Sequence, residues 1–459
     1  MDVRVCLRSF ALASVLLLAS VAAGGGELAG PVVFRNAVVI TMTGAGSLTG
    51  QDVLVDGGRI AAIAPSGSIG IPAGATIVDA AGRFLIPGLA EMHAHVPGPD
   101  QRAYAEDVLL LYVAHGITTI RGMLGHPWHL ELRRAIAERE VLGPRLYTAG
   151  PSLNGGSAPD ADTARRMVRE QQAAGYDFIK LHPGLRRDVF DAIVEEARRL
   201  GIPFSGHVSD DVGVMHALAA HQSAIDHLDG YMQLLAEPRC LDGSVAPGFF
   251  GIGLTGCADM TRIPGAIEAT LAAGTWQAPT QVLLEQWALP PSEDELRARP
   301  ATRYLPARVL EQWRDARQRF IGLQALPETH ARKFIALRRQ LIRDMHEAGV
   351  PILLASDAPQ VFNVPGDSAL AELGIYVDSG LSTIDALATG TVNPARFYSA
   401  ENVFGSIREG LEADLVLLGG NPLEDIRNIR NIEGVMVRGR WLDRTELDRR
   451  LGMLVARSE

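Results

Sequence analysis

Eight short apolar runs alternate with helical patterns through the middle of this chain, and that alternation restricts the fold more than any other feature. The runs cover residues 84–95, 116–123, 144–150, 176–182, 202–207, 224–227, 276–282 and 350–357. Parallel neighbours in a sheet can be joined only by a crossover, usually a helix, so strand–helix alternation predicts a parallel sheet. Eight units over about 300 residues suit an α/β fold of the (β/α)8 TIM-barrel type. In that architecture chemistry gathers at the C-terminal ends of the strands.

The two ends of the chain read differently. Residues 31–86 break into short strands separated by Gly, Asn and Asp turns, with Asp56-Gly57-Gly58 as a hairpin signal. The same texture returns in 413–418 and 432–440. We therefore expect a small β-sandwich lobe built from 31–86 plus 396–459, around a barrel spanning 87–395. Two insertions interrupt the barrel. Residues 232–262 are rich in Gly and Pro and read as a lid-like loop, and 283–346 read as extended helices.

Residues 1–23 carry Arg4 and Arg8 ahead of an apolar stretch that ends in small residues. This pattern predicts a secretory signal peptide, hence an exported protein, periplasmic or secreted, with no stable membrane insertion after cleavage. Cys6 precedes the apolar stretch. Cys240 and Cys257 are then the cysteines of the mature chain, and in an oxidising compartment they either form a disulfide or stay as buried thiols. Formal charge is −10 for the 459 residues; losing Asp2, Arg4 and Arg8 takes it to about −11. With no basic stripe, nucleic acid is excluded as an expected partner, leaving a small-molecule substrate. A homo-oligomer is allowed but not indicated.

Candidate metal ligands stand at the ends of the strand-like runs. In Pro87-Gly88-Leu89-Ala90-Glu91-Met92-His93-Ala94-His95, the two histidines are two residues apart, and such residues share one face of a strand. Both imidazoles can therefore aim at one ion. Lys180 ends the run 176–182. A buried lysine tends to shed its proton, and a neutral amine can take up carbon dioxide as a carbamate; the alternative is an ion pair with a buried acid. His207, His227 and Asp357 end three further runs. Glu91, two residues before His93, is a candidate partner behind the ligands.

This ordered set resembles the amidohydrolase superfamily in its binuclear, carboxylated-lysine form. Within it the chain is similar to the imidazolonepropionase-like and Xaa-Pro dipeptidase-like branch, through Gly116-Ile117-Thr118-Thr119-Ile120-Arg121, Ile179-Lys180, Thr391-Val392-Asn393-Pro394-Ala395 and Gly410-Leu411-Glu412-Ala413-Asp414-Leu415. The resemblance implies a hydrolase with two divalent metal ions, zinc being the expected one. His93, His95 and Asp357 would hold one ion and His207 and His227 the other. A carbon dioxide-derived carbamate on Lys180 and a hydroxide would bridge them. Asp357 would be the catalytic proton carrier.

The implied reaction is hydrolysis of an amide or peptide-like C–N bond, in a dipeptide or an N-acyl amino acid. The same centre would also serve a lactone or a carbamate or other ester, and a non-catalytic binding protein would keep the same barrel. Arg121, His182 and Tyr231 are the expected substrate-binding residues, with Asn393 a further candidate. The sequence Leu228-Asp229-Gly230 after His227 departs from many members, which have glycine directly after the histidine.

Overall fold

The computed structural model describes residues 30–458 apart from residue 45 and residues 324–325. The expected signal peptide and Cys6 lie outside the described residues. No helix among the described residues is long and apolar enough to cross a membrane.

The N-terminal strands are β1 (Val32–Ile40), β2 (Ser47–Asp56), β3 (Arg59–Pro65), β4 (Thr76–Asp79) and β5 (Phe84–Pro87). Next come β6 (Leu89–Ala94), β7 (Ile117–Gly122), β8 (Arg145–Thr148), β9 (Ile179–Leu181), β10 (Phe204–Gly206), β11 (Ala224–Asp226) and β12 (Trp276–Ala278). The last three are β13 (Leu415–Leu418), β14 (Ile432–Val437) and β15 (Arg440–Asp443).

Strands from both ends form one eight-stranded sheet in the order β15-β14-β13-β5-β1-β2-β3, with β4 beside β1. Hydrogen bonding thus runs through a single sheet where the sequence reading expected a sandwich. This strand lobe has its own apolar cluster, in which Phe34, Val39 and Val53 pack with Leu85, Leu415 and Met436. β13 is buried at every position, and its side chains alternate between this cluster (Leu415, Leu417) and the main core (Val416, Leu418), as the period of a strand requires.

The middle of the chain forms a barrel-like α/β unit from two parallel sheets, β6-β7-β8 and β9-β10-β11-β12. Parallel bridges Ala149↔Phe178 and Leu153↔Leu181 join the two sheets. The eighth run, 350–357, forms no ladder. It touches its neighbours through the parallel bridges Gln277↔Ile352 and Ala94↔Ala358. Every residue of β6 and β7 is buried, as expected for strands covered on both faces. Helices such as Ala161–Ala174 and Arg187–Leu200 provide the crossovers. The first is capped at its start by Asp160, which accepts from the Thr163 amide, and is stopped by Gly175 at φ 84°.

Gly88 is where the chain passes from lobe to barrel. Before it, β5 pairs with β1 and β13; after it, β6 pairs with β7. A Cβ at Gly88 would stand 2.2 Å from Thr118 Oγ1 and 2.8 Å from Thr118 Cβ, so no other residue fits without displacing β7. We expect Gly88→Ala to destabilise the protein by about 1–3 kcal/mol through overpacking. Denaturant unfolding would measure this, and adding Thr118→Ala should return part of the loss.

Candidate metal centre

His93 and His95 extend from the end of β6 towards the same carboxylate. His93 Nε2 lies 3.3 Å and His95 Nε2 lies 2.6 Å from Asp357 Oδ1. His227, just past β11, brings its Nε2 to 3.8 Å from Asp357 Oδ2. Donor atoms of His93, His227 and Asp357 all lie within 4.8 Å of one another. His207 follows β10, and its ring centroid is 4.6 Å from that of His227. All of these, with Lys180 and His182, line one cavity of about 760 Å³.

Asp357 is brought into place by two local features. Its backbone adopts φ 63°, which turns the side chain out of the 350–357 run. Behind it, the buried Glu91 carboxylate accepts from the amides of His93 (2.9 Å) and Ser356 (2.8 Å) and from Ser356 Oγ (2.5 Å). Glu91 therefore clamps the histidine-bearing strand to the segment that carries Asp357. Burial pushes the Glu91 carboxyl up to about 7.

The donor set suits divalent cations. Burial lowers His93 to about 4 and His227 well below the usual histidine value, so both imidazoles are neutral and keep a lone pair. Burial alone would raise Asp357, but the imidazoles of His93, His95 and His227 outweigh it and hold the carboxyl below the usual range. His207 Nδ1 meets Asp229 Oδ2 at 2.7 Å, and His227 Nδ1 meets Thr280 Oγ1 at 2.7 Å. Each ring is thereby oriented by its Nδ1 and presents Nε2 to the centre. His93 Nδ1 is buried without a hydrogen-bond partner, although Asp226 Oδ2 lies 3.3 Å away.

Lys180 Nζ donates to Asp226 Oδ2 at 2.6 Å, the ion pair that the sequence reading set beside the carbamate. Asp226 is fully buried and also receives Arg121 Nη2 at 3.1 Å. The sequence reading did not single out Asp226. It adjoins His227, and adjacent residues of a regular strand point to opposite faces. His227 at φ 60° and Leu228 at φ 54° break that alternation, so both side chains reach the centre. Arg338 was also missed. It is 1% exposed and donates to the carbonyls of His227 (2.8 Å) and Pro279 (3.0 Å), holding the turn that carries His227.

Three of the expected substrate contacts are corrected. Arg121 does not line the cavity: it is fully buried, donating to Met92 O at 2.6 Å, to Ser205 Oγ at 3.3 Å and to Asp226, between the rings of Phe178 and Phe397. Three of its five N–H groups are so committed, and complete burial keeps the guanidinium from a substrate carboxylate in the cavity. Tyr231 is also fully buried, with its hydroxyl 2.6 Å from Thr270 Oγ1 and accepting from Gln277 Nε2 at 3.1 Å. Asn393 donates to Ile352 O at 2.9 Å and lies outside the cavity. His182 does line it, its ring 4.8 Å from that of His207. Burial, then the neighbouring His207, lowers His182 to about 4.

The region 232–262 closes the cavity from the side. The sulfurs of Cys240 and Cys257 are joined in a disulfide across a separation of 17 residues, with Cα atoms 6.3 Å apart. Within it the short 3-10 segment Phe249–Cys257 sets Phe250 at φ 52°, and its ring centroid sits 5.0 Å from that of His227. Phe249 stacks on Trp287 at 4.9 Å.

A family model described as the amidohydrolase family matches residues 84–442. The chain belongs to the amidohydrolase family. Ochratoxinase of Aspergillus niger is 23% identical over 411 residues, covering 75% of this chain and 72% of that protein. Adenine deaminase 3 of Rhizobium meliloti is 28% identical over 215 residues, covering 43% of this chain. The chain spans only 35% of that deaminase's length. Among solved structures, a Xaa-Pro dipeptidase with bound methionine in its active site aligns with a TM-score of 0.66 at 19% identity. That alignment covers 90% of this chain and 100% of the dipeptidase, and it establishes a common amidohydrolase fold.

The buried position of Arg121 in this amidohydrolase yields a direct test. Arg121→Met leaves Asp226 with one cation fewer and Met92 O without its donor, so we expect a stability loss of about 3–5 kcal/mol. Unfolding curves would show it. A raised KM with unchanged stability would instead return Arg121 to the substrate.

Proposed function

We propose that the protein is an exported, metal-dependent hydrolase that cleaves an amide or peptide-like C–N bond within a (β/α)8 barrel. The observation that carries this reading is convergence. His93, His95, Lys180, His207, His227 and Asp357 come from the ends of five separate segments, four strands and the run 350–357, and line one cavity. His93, His95 and Asp357 would hold one divalent ion and His207 and His227 the other; Lys180, whose amine donates to Asp226 at 2.6 Å, would leave that pair on taking up carbon dioxide and supply a carbamate as a further ligand. The pattern of residues 1–23 supports export.

When bound, such ions acidify water and polarise a carbonyl, with zinc the proposed species. The chain supplies the rest. Glu91 fixes Asp357 against the two histidines of β6. Asp357, ionised and buried, accepts a proton as the water oxygen bonds to the carbonyl carbon. It returns that proton to the nitrogen as the C–N bond breaks, as general acid–base catalysis requires. The wall formed by Phe250 and Trp287 narrows the cavity and limits competing water.

Protein prepared with zinc and bicarbonate should contain close to two metal equivalents by elemental analysis, and Lys180→Ala should lower that content. One equivalent or fewer in the parent protein would refute the binuclear reading. Asp357→Asn should reduce turnover by about 10²–10⁴-fold, with metal content measured alongside. A panel of dipeptides, N-acyl amino acids and lactones identifies the bond: turnover confined to lactones would replace the amide reading with the ester one.

A further inference from the structure

The cavity has two walls of different character. One is apolar and aromatic: Leu283, Trp287, Phe249 and Phe250, and Met123 and Leu124 add further apolar lining. Phe249 is 40% exposed and Leu124 is 50% exposed, both at the cavity and not scattered over the surface. Large apolar side chains held open to solvent beside a polar centre mark a place where a ligand covers them. Phe250 sets the distance. Its ring touches that of His227, so a group resting on it lies next to the reacting bond.

The other wall is acidic. Asp210, Asp211 and Asp229 line it, and the cations among the described lining residues are Lys180 and Arg186. Lys180 is committed to Asp226 at 2.6 Å. Arg186 donates twice to Asp188, at 3.0 Å each, and to Pro159 O at 2.8 Å. With Arg121 buried, a substrate carboxylate away from the metal cluster finds no uncommitted cation on this wall. It meets carboxylates of its own sign instead.

From these two walls we infer that the substrate is a small amide that carries an aromatic ring beside the scissile bond and is neutral or cationic at its far end. The ring lies against Phe250, Phe249 and Trp287, stacked or edge-on as aromatic pairs prefer. The far end points to Asp210 and Asp211. A cavity of about 760 Å³ has room for such a molecule and not for a folded partner. The inference rests on the hydrolase reading for the chemistry, but its binding component stands apart from turnover. It narrows the dipeptide and N-acyl amino acid expectation, because a free carboxylate at the far end is disfavoured.

The test compares four amides on the metal-loaded enzyme: N-acetyl-alaninamide, N-benzoyl-alaninamide, N-acetyl-phenylalaninamide and N-acetyl-phenylalanine. At least one ring-bearing alaninamide or phenylalaninamide should exceed N-acetyl-alaninamide in kcat/KM by about tenfold or more, the order expected for seating one ring. N-acetyl-phenylalaninamide should likewise exceed its free acid. Phe250→Ala and Trp287→Ala should each shrink the ring advantage, and Phe250→Leu should keep part of it. Equal rates with and without a ring, or preference for the free acid, would overturn the inference and leave the hydrolase reading intact. Should none of the four turn over, calorimetric titration with benzamide decides: binding weakened about fivefold or more by Phe250→Ala supports the ring site although the reaction differs. No binding, or binding indifferent to both substitutions, refutes it.

Discussion

Everything at the centre of this protein leans on one buried carboxylate. Asp226 has no exposure, yet it pairs with both Lys180 and Arg121 and stands beside His93. Charges removed from water are tolerable only when paired and hydrogen-bonded. Each partner comes from a different strand, so satisfying one aspartate ties β6, β7, β9 and β11 to a common point. Arg121 extends the tie by bonding to Met92 O on β6 and Ser205 on β10. The result is a rigid polar floor from which the histidines project.

Much of that floor was legible in the sequence. Runs ending in His95, Lys180, His207, His227 and Asp357 have the length and apolar content of buried strands, and the structure delivers all five ends to one cavity. Depth was not legible. Strand periodicity tells which face Arg121 occupies but not how deep it lies, and Tyr231 opens a short helix, Tyr231–Leu235, to which no strand period applies; both are buried with their polar atoms bonded to neighbours. Asp226 escaped notice because the positive φ at His227 overrides alternation, and a lone sequence marks no such turn outside glycine. The aromatic wall was equally hidden: Phe249 and Phe250 sit in a segment with no strand or helix period, held in place by a disulfide and by stacking on Trp287 from a distant helix.

Floor and wall belong to separate pieces of chain. The metal-ligating candidates ride on short parallel strands whose positions are set by the ion pairs beneath them. The wall rides on 232–262 and on the helix Gln281–Ala288. The two sets meet at His227: Phe250 lies against its ring, and Gln281 accepts from the Arg338 that holds the His227 carbonyl.

Gly88 has a bearing on when the protein becomes complete. Its amide donates to Asp414 O at 2.8 Å, and β5 immediately before it pairs with β13. These partners are separated by more than three hundred positions in the sequence. Contacts so remote in the chain form late, because the entropy of closing the intervening loop must be met before they reward it. The strand that carries His93 and His95 thus has its first lobe-side anchor early, through the pairing of β5 with β1, and its second only after β13 has been synthesised. A nascent chain can build helices and most of its parallel strands earlier, but the contacts of Gly88 and β5 with Asp414 and β13 come only near the end of folding, so the proposed metal centre would be completed late in the maturation of the chain.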